Sequence, residues 1–98
     1  MENNCCNKKT KRSVNEKKLI INRLNRISGQ INGISKMVEN DAYCNDLLIQ
    51  LSAVENSIKS LSALVLENHL YKCVPNALEN GDYDTIDELI SLFKRFNK

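Results

Sequence analysis

At 98 residues the chain has room for one small domain, and a chain of this size with long apolar stripes commonly completes its core by joining copies of itself. Three Gly and one Pro leave little punctuation, which favours a few long helices. The formal net charge is only +2, yet residues 1–37 hold nine Lys/Arg against two Asp/Glu, or +7, and residues 38–98 hold five against ten, or −5. The basic half reads as a polyanion-binding surface, with nucleic acid the first candidate and an anionic membrane the second.

No apolar run approaches the roughly 18 residues that span a bilayer, and the polar start MENNCCNKKTKR has no signal-peptide core. A soluble, cytoplasmic protein is expected. In a reducing compartment the four Cys are read as free thiols or metal ligands rather than as a disulfide framework.

Residues 1–12 are expected to form a mobile polar basic tail, followed by a single all-helical domain over 13–98. The adjacent pair Cys5 and Cys6 lies in that tail and is read as incidental, with metal capture as the alternative. Ser13-Val14-Asn15-Glu16 then makes a capping box and opens a first helix. Ile20, Leu24, Ile27, Ile31, Ile34 and Val38 follow at spacings of four and three, a heptad seam that carries this helix to about Glu39. Gly29 and Gly33 inside it each cost about 1 kcal/mol against Ala, so either another backbone approaches closely or a weak spot is tolerated. Lys17, Lys18, Arg23 and Arg26 extend the basic tail into a stripe suited to phosphate contacts.

Asn40-Asp41 is expected to turn the chain and cap the second helix. Cys44, Leu47, Leu51, Val54, Ile58, Leu61 and Val65 repeat the seam, and the helix reaches at least Cys73, where Pro75 ends or kinks it. Asn80-Gly81-Asp82 is a turn. A third helix begins near Thr85 and buries Ile86, Leu89, Ile90 and Phe93. The expected fold is therefore all-α, with three helices per protomer. The short loop near residue 40 makes the first two helices an antiparallel hairpin, and two hairpins pack into a four-helix bundle.

His69 and Cys73 stand four apart, hence on one helix face. Twenty-five residues at about 100° each return Cys44 to within roughly 20° of His69, but about 37 Å away along a straight helix. One chain cannot close that gap, whereas an antiparallel copy can, about a two-fold axis near Ser57 and Ile58, giving two equivalent sites per dimer. Two thiolates and one imidazole, with no carboxylate in obvious reach, suit Cu(I), while zinc would call for a fourth ligand or a water. The dipole of the second helix favours a Cys44 thiolate, so persulfide or other thiol chemistry is the competing reading. No nucleophile, base and orienting group form a constellation, so an enzyme is not expected.

Several stretches carry a family resemblance: Arg23-Leu-Asn-Arg26-Ile-Ser-Gly29-Gln30-Ile-Asn-Gly33-Ile, Met37-Val38-Glu39, Tyr43-Cys44, Gln50-Leu-Ser-Ala53-Val54 and His69-Leu-Tyr-Lys-Cys73-Val74. They resemble the CsoR/RcnR-like bacterial transcriptional repressors, specifically the copper-sensing CsoR branch, over about residues 17–96 with one residue missing from the turn after Cys73. The resemblance implies a tetramer, a dimer of antiparallel dimers, that binds operator DNA without a helix-turn-helix. It also implies release when Cu(I) binds Cys44 of one protomer with His69 and Cys73 of the partner subunit. Tyr43 and Glu88 are implied as hydrogen-bonding partners of the bound imidazole, a kind of contact that orients a metal ligand. Glu88 has a rival role as the closing residue of a capping box over Thr85-Ile86-Asp87-Glu88.

Arg23 and Lys59 are the DNA contacts carried over from the resemblance, with Arg26, Lys17 and Lys18 in support. Asn32 stands where relatives commonly have a basic residue. The nickel and cobalt sensors of the family add an N-terminal His near the position of Arg12, which cannot coordinate, and the persulfide sensors lack the His present here. The function expected is a Cu(I)-responsive repressor of copper efflux genes. The alternatives are a thiol-, persulfide- or other-metal-responsive repressor of the same family, and a helical copper buffer that does not bind DNA.

Overall fold

The computed structural model describes residues 12–96; Cys5, Cys6 and most of the expected tail lie outside that range. Three helices follow in chain order, α1 (Val14–Glu39), α2 (Cys44–Glu79) and α3 (Tyr83–Phe96), with no strand among the described residues. Ser13 caps α1 as the sequence suggests. Its hydroxyl accepts from Glu16 N–H at 3.1 Å, and the Glu16 carboxylate accepts from Ser13 N–H at 2.9 Å, so two backbone donors that a helix start leaves unpaired are satisfied.

Asn40 and Asp41 close α1 instead of capping α2. Ala42 N–H donates to Met37 C=O at 2.9 Å and Asp41 N–H to Val38 C=O at 3.1 Å, the two bonds of a Schellman ending, which needs a left-handed residue between them. Asp41 takes that conformation, with φ 56°. The same motif closes α2: Asp82 N–H donates to Ala77 C=O at 2.8 Å and Gly81 N–H to Leu78 C=O at 3.3 Å, with Gly81 at φ 65°. Glycine adopts this backbone without steric cost and a residue with a Cβ does not. Asp41→Gly is therefore expected to stabilise the folded chain by about 1 kcal/mol, or roughly 4–8 °C in Tm. Thermal unfolding at matched protein concentration measures it, and a lower Tm would show that the Asp41 side chain matters more than its backbone.

Pro75 lies inside α2, which continues to Glu79. The ring removes the N–H that would meet Tyr71 C=O. Both residues lie on the exposed side of the helix, where water can take up the orphaned carbonyl. The third helix begins two residues before the expected start because Asp82 captures it. Thr85 N–H donates to Asp82 Oδ1 at 3.1 Å and the Thr85 hydroxyl to Oδ2 at 2.6 Å. These bonds, the hydroxyl first and the amide second, hold the Asp82 carboxyl below the ordinary carboxylate value against a small opposing desolvation. A carboxyl lowered by folding stabilises the fold above its unfolded pKa, and that contribution is lost as pH falls through the depressed one. With Asp82 as the cap, the helix-capping role expected of Glu88 falls away.

The described chain forms two compact units that divide within α2, one over Ser13–Leu61 and one from Ser62 onward. In the first unit the heptad seam is only half used. Ile27 and Val54 are buried, and so is Leu61, while Ile20, Ile34 and Leu47 are half-buried. The alternate members stay exposed: Leu24 at 49%, Ile31 at 48% and Val38 at 57% on α1, and Leu51 at 46% and Ile58 at 47% on α2. These residues recur every seven positions, and Cys44 continues the α2 row by the same step. In the second unit Cys73, Ala77 and Leu89 are buried, whereas Ile90 and Phe93, expected in the core, remain exposed at 48% and 45%.

Candidate metal centre

His69 and Cys73 sit one turn apart on α2, in the second compact unit. Their spacing of four aligns them on one face, and His69 Nδ1 lies 3.5 Å from Cys73 Sγ. Metal–N and metal–S bonds of about 2.0 and 2.3 Å together exceed that separation, so both donors can reach one ion without moving apart. Cys73 is fully buried, at 0% exposure, and His69 is half-buried. The pair is thus partly shielded from water, in surroundings that suit a soft donor set.

Cys44 begins α2, in the first unit, as an exposed free thiol. Cys73 is disulfide-bonded here, contrary to the expectation of free thiols, so a metal-binding role for it requires the reduced chain. Among the described residues of a single chain, no three His, Cys, Asp or Glu side chains gather into a metal-binding group. Tyr43, next to Cys44, is 66% exposed, and its hydroxyl accepts from Asn45 Nδ2 at 3.4 Å. Glu88 is exposed on α3.

The basic residues of the first unit occupy its surface. Lys17, Lys18, Arg26 and Lys59 are exposed and Arg23 is half-buried. Arg23 Nη1 donates to Ser60 Oγ at 3.3 Å, joining α1 to α2. Ser60 is absent from the residues singled out in the sequence, where it shows only as a serine following Lys59. A Cβ at Gly29 or Gly33 would meet no atom within 4 Å, so no close approach among the described residues explains either glycine.

A His69–Cys73 pair one turn apart, a hairpin with half its seam uncovered and a basic first helix stand together in this chain. Residues 16–95 match the metal-sensitive transcriptional repressors. The chain belongs to that family. Its members are repressors, not enzymes.

The copper-sensing transcriptional repressor CsoR of Bacillus subtilis (strain 168) is 48% identical over 88 residues, which are 89% of this chain and 87% of that relative. Among solved structures, the copper-sensing repressor CsoR with Cu(I) from Geobacillus thermodenitrificans NG80-2 superposes with a TM-score of 0.81 at 37% identity. That match covers 90% of this chain and 93% of the other. The nickel-responsive transcriptional regulator InrS gives a TM-score of 0.71 at 31% identity, covering 89% and 96%. The all-α fold is common to these repressors, and their metals differ.

Proposed function

We propose that this chain is a cytoplasmic Cu(I)-responsive transcriptional repressor that binds operator DNA when metal-free and leaves it when Cu(I) binds, controlling copper efflux genes. Its working form is an antiparallel dimer that pairs into a tetramer, with each metal site made of Cys44 of one protomer and His69 and Cys73 of the partner subunit. The observation that carries this reading is the His69–Cys73 pair, two soft donors 3.5 Å apart on one helix face, with no group of three metal-binding side chains among the described residues of one chain.

The uncovered seam supports the second copy. Leu24, Ile31 and Val38 on α1, with Leu51 and Ile58 on α2, form apolar rows at the period that two hairpins bury against each other in a bundle. Cys44 lies on the α2 row, so an antiparallel copy that covers the row also receives Cys44. No helix among the described residues is long and apolar enough to cross a membrane.

Fold alone does not choose the metal, because copper- and nickel-responsive relatives share it. The donors do. Two sulfurs and one imidazole nitrogen without a carboxylate suit Cu(I) better than nickel or zinc, and Arg12 offers no further ligand where the nickel and cobalt sensors place a His. When bound, Cu(I) supplies a fixed point that ties the start of one α2 to the far part of another. Tyr43 and Glu88 are assigned to hydrogen-bond the ligand imidazole and so couple the metal state to the rest of the protomer.

Binding of a labelled duplex from the upstream region of the chain's own gene tests the reading. Reduced, metal-free protein is expected to bind with a steep salt dependence, and Arg23→Ala should weaken it and flatten the log–log salt slope by about 0.9, one phosphate contact. Saturating Cu(I) should lower the affinity roughly 5- to 150-fold, about 1–3 kcal/mol of coupling. Negligible affinity at low salt, or affinity indifferent to Cu(I), would replace the repressor with a copper buffer.

A further inference from the structure

Arg23, which sits midway along the basic face of α1, is tied to the second helix. Its Nη1 donates to Ser60 Oγ at 3.3 Å, within the unit Ser13–Leu61. A helical serine often turns its hydroxyl back to the carbonyl four residues earlier. Here the oxygen accepts from a guanidinium on the neighbouring helix instead. Ser60 is exposed and follows the exposed Lys59, and it belongs to neither the buried nor the exposed apolar row.

An arginine presents five N–H donors in a rigid planar fork, and the long stem that carries the fork loses much rotamer freedom when it is fixed. One donor held by Ser60 sets the plane of the fork and leaves its other donors for an anion. Lys59 adds a positive charge one residue away. An oriented guanidinium fork and an ammonium are groups that recognise a DNA phosphodiester, whose contacts fix register rather than read sequence.

We propose that Ser60 is a positioning residue for DNA binding, holding the Arg23 guanidinium so that it meets the phosphate backbone without first being ordered. This rests on the reading above that Arg23 touches DNA. Removing Ser60 leaves the Arg23 charge in place, so the number of phosphates neutralised stays the same and only the affinity drops. Removing Arg23 changes both. That difference separates positioning from charge.

The experiment is fluorescence anisotropy with reduced, metal-free full-length protein and the same upstream duplex over a range of salt, using Ser60→Ala, Ser60→Thr, Arg23→Ala and the double variant. Ser60→Ala is expected to weaken binding about three- to tenfold, the value of one hydrogen bond, with the wild-type salt slope. Ser60→Thr keeps the hydroxyl and restores affinity. Arg23→Ala lowers affinity and slope, and the double variant binds no more weakly than Arg23→Ala alone. Because alanine is a better helix former than serine, Ser60→Ala should keep its helical circular dichroism and its Cu(I) stoichiometry, which are measured alongside. Wild-type affinity for Ser60→Ala, or a Ser60→Ala loss that adds in full to that of Arg23→Ala, overturns the inference while leaving Arg23 as a DNA contact. Wild-type affinity and slope for Arg23→Ala removes the DNA role of Arg23 itself, and the positioning role with it.

Discussion

Refolding a one-to-one mixture of Cys44→Ala and His69→Ala chains under reducing conditions is expected to restore tight Cu(I) binding that neither pure variant shows. In a mixed dimer the His69→Ala chain lends Cys44, while the Cys44→Ala chain lends its His69–Cys73 pair, whose donors stand 3.5 Å apart. One of the two sites is then complete and the other lacks two ligands. Tight binding should reach half the wild-type stoichiometry within each mixed dimer, and X-ray absorption should report two sulfurs and one nitrogen on the metal. The contrast is large, because a site that loses one of three soft donors no longer competes well for Cu(I). If mixed dimers form by native mass spectrometry and no binding returns, the three ligands meet within one chain and the antiparallel arrangement is wrong.

Cys44→Ala alone should separate sensing from DNA binding. Cys44 is an exposed free thiol at the start of α2, so its loss leaves no cavity in the protomer, and the metal-free protein should hold operator DNA as wild type does. Cu(I) should then fail to release it, with the 5- to 150-fold change in affinity collapsing towards none. Cys73→Ala should also abolish the response, with a second effect. Its side chain is fully buried, so truncation leaves a void and some loss of stability. Titration of DNA-bound protein with Cu(I) in an anaerobic, reducing buffer reads both variants. Release of Cys44→Ala at the wild-type copper concentration would remove Cys44 from the site.

Much of this architecture can be read from residue spacing, because heptad rows, caps and turns are local signals. The Ser13–Glu16 capping box and the Asn80-Gly81-Asp82 turn appear where the sequence puts them. The readings that shift are competitions between neighbouring polar residues. Asn40 and Asp41 suit a helix start, yet two backbone bonds to Met37 and Val38 make them a helix end. Asp82 takes the start of α3 from Thr85 because its carboxylate accepts from both the amide and the hydroxyl of that threonine. Pro75 looks like a terminator, but it removes a single bond from a helix that the Gly81 motif ends later.

The closeness of His69 and Cys73 is legible for the same local reason, since they lie one turn apart and helix geometry alone brings them together. Ser60 was not legible. Its contact with Arg23 joins residues 37 positions apart, and neither has a periodic partner that marks it. The heptad rows likewise mark which residues are apolar, but not that Leu24, Ile31, Leu51 and Ile58 stay at the surface of one chain. That division depends on which row the hairpin itself consumes.

The uncovered rows have a quantitative consequence for the cell. In the proposed dimer, where Cys44 and its partner donors stand on different chains, metal occupancy and chain association would be linked equilibria, each strengthening the other by the same factor. Dilution that parts the chains would then also discharge the ion, and saturation with Cu(I) would hold together chains that otherwise separate. With sites shared in this way, the copper level that triggers the response would depend on how many copies of the protein a cell contains, sparse sensors answering only to more metal.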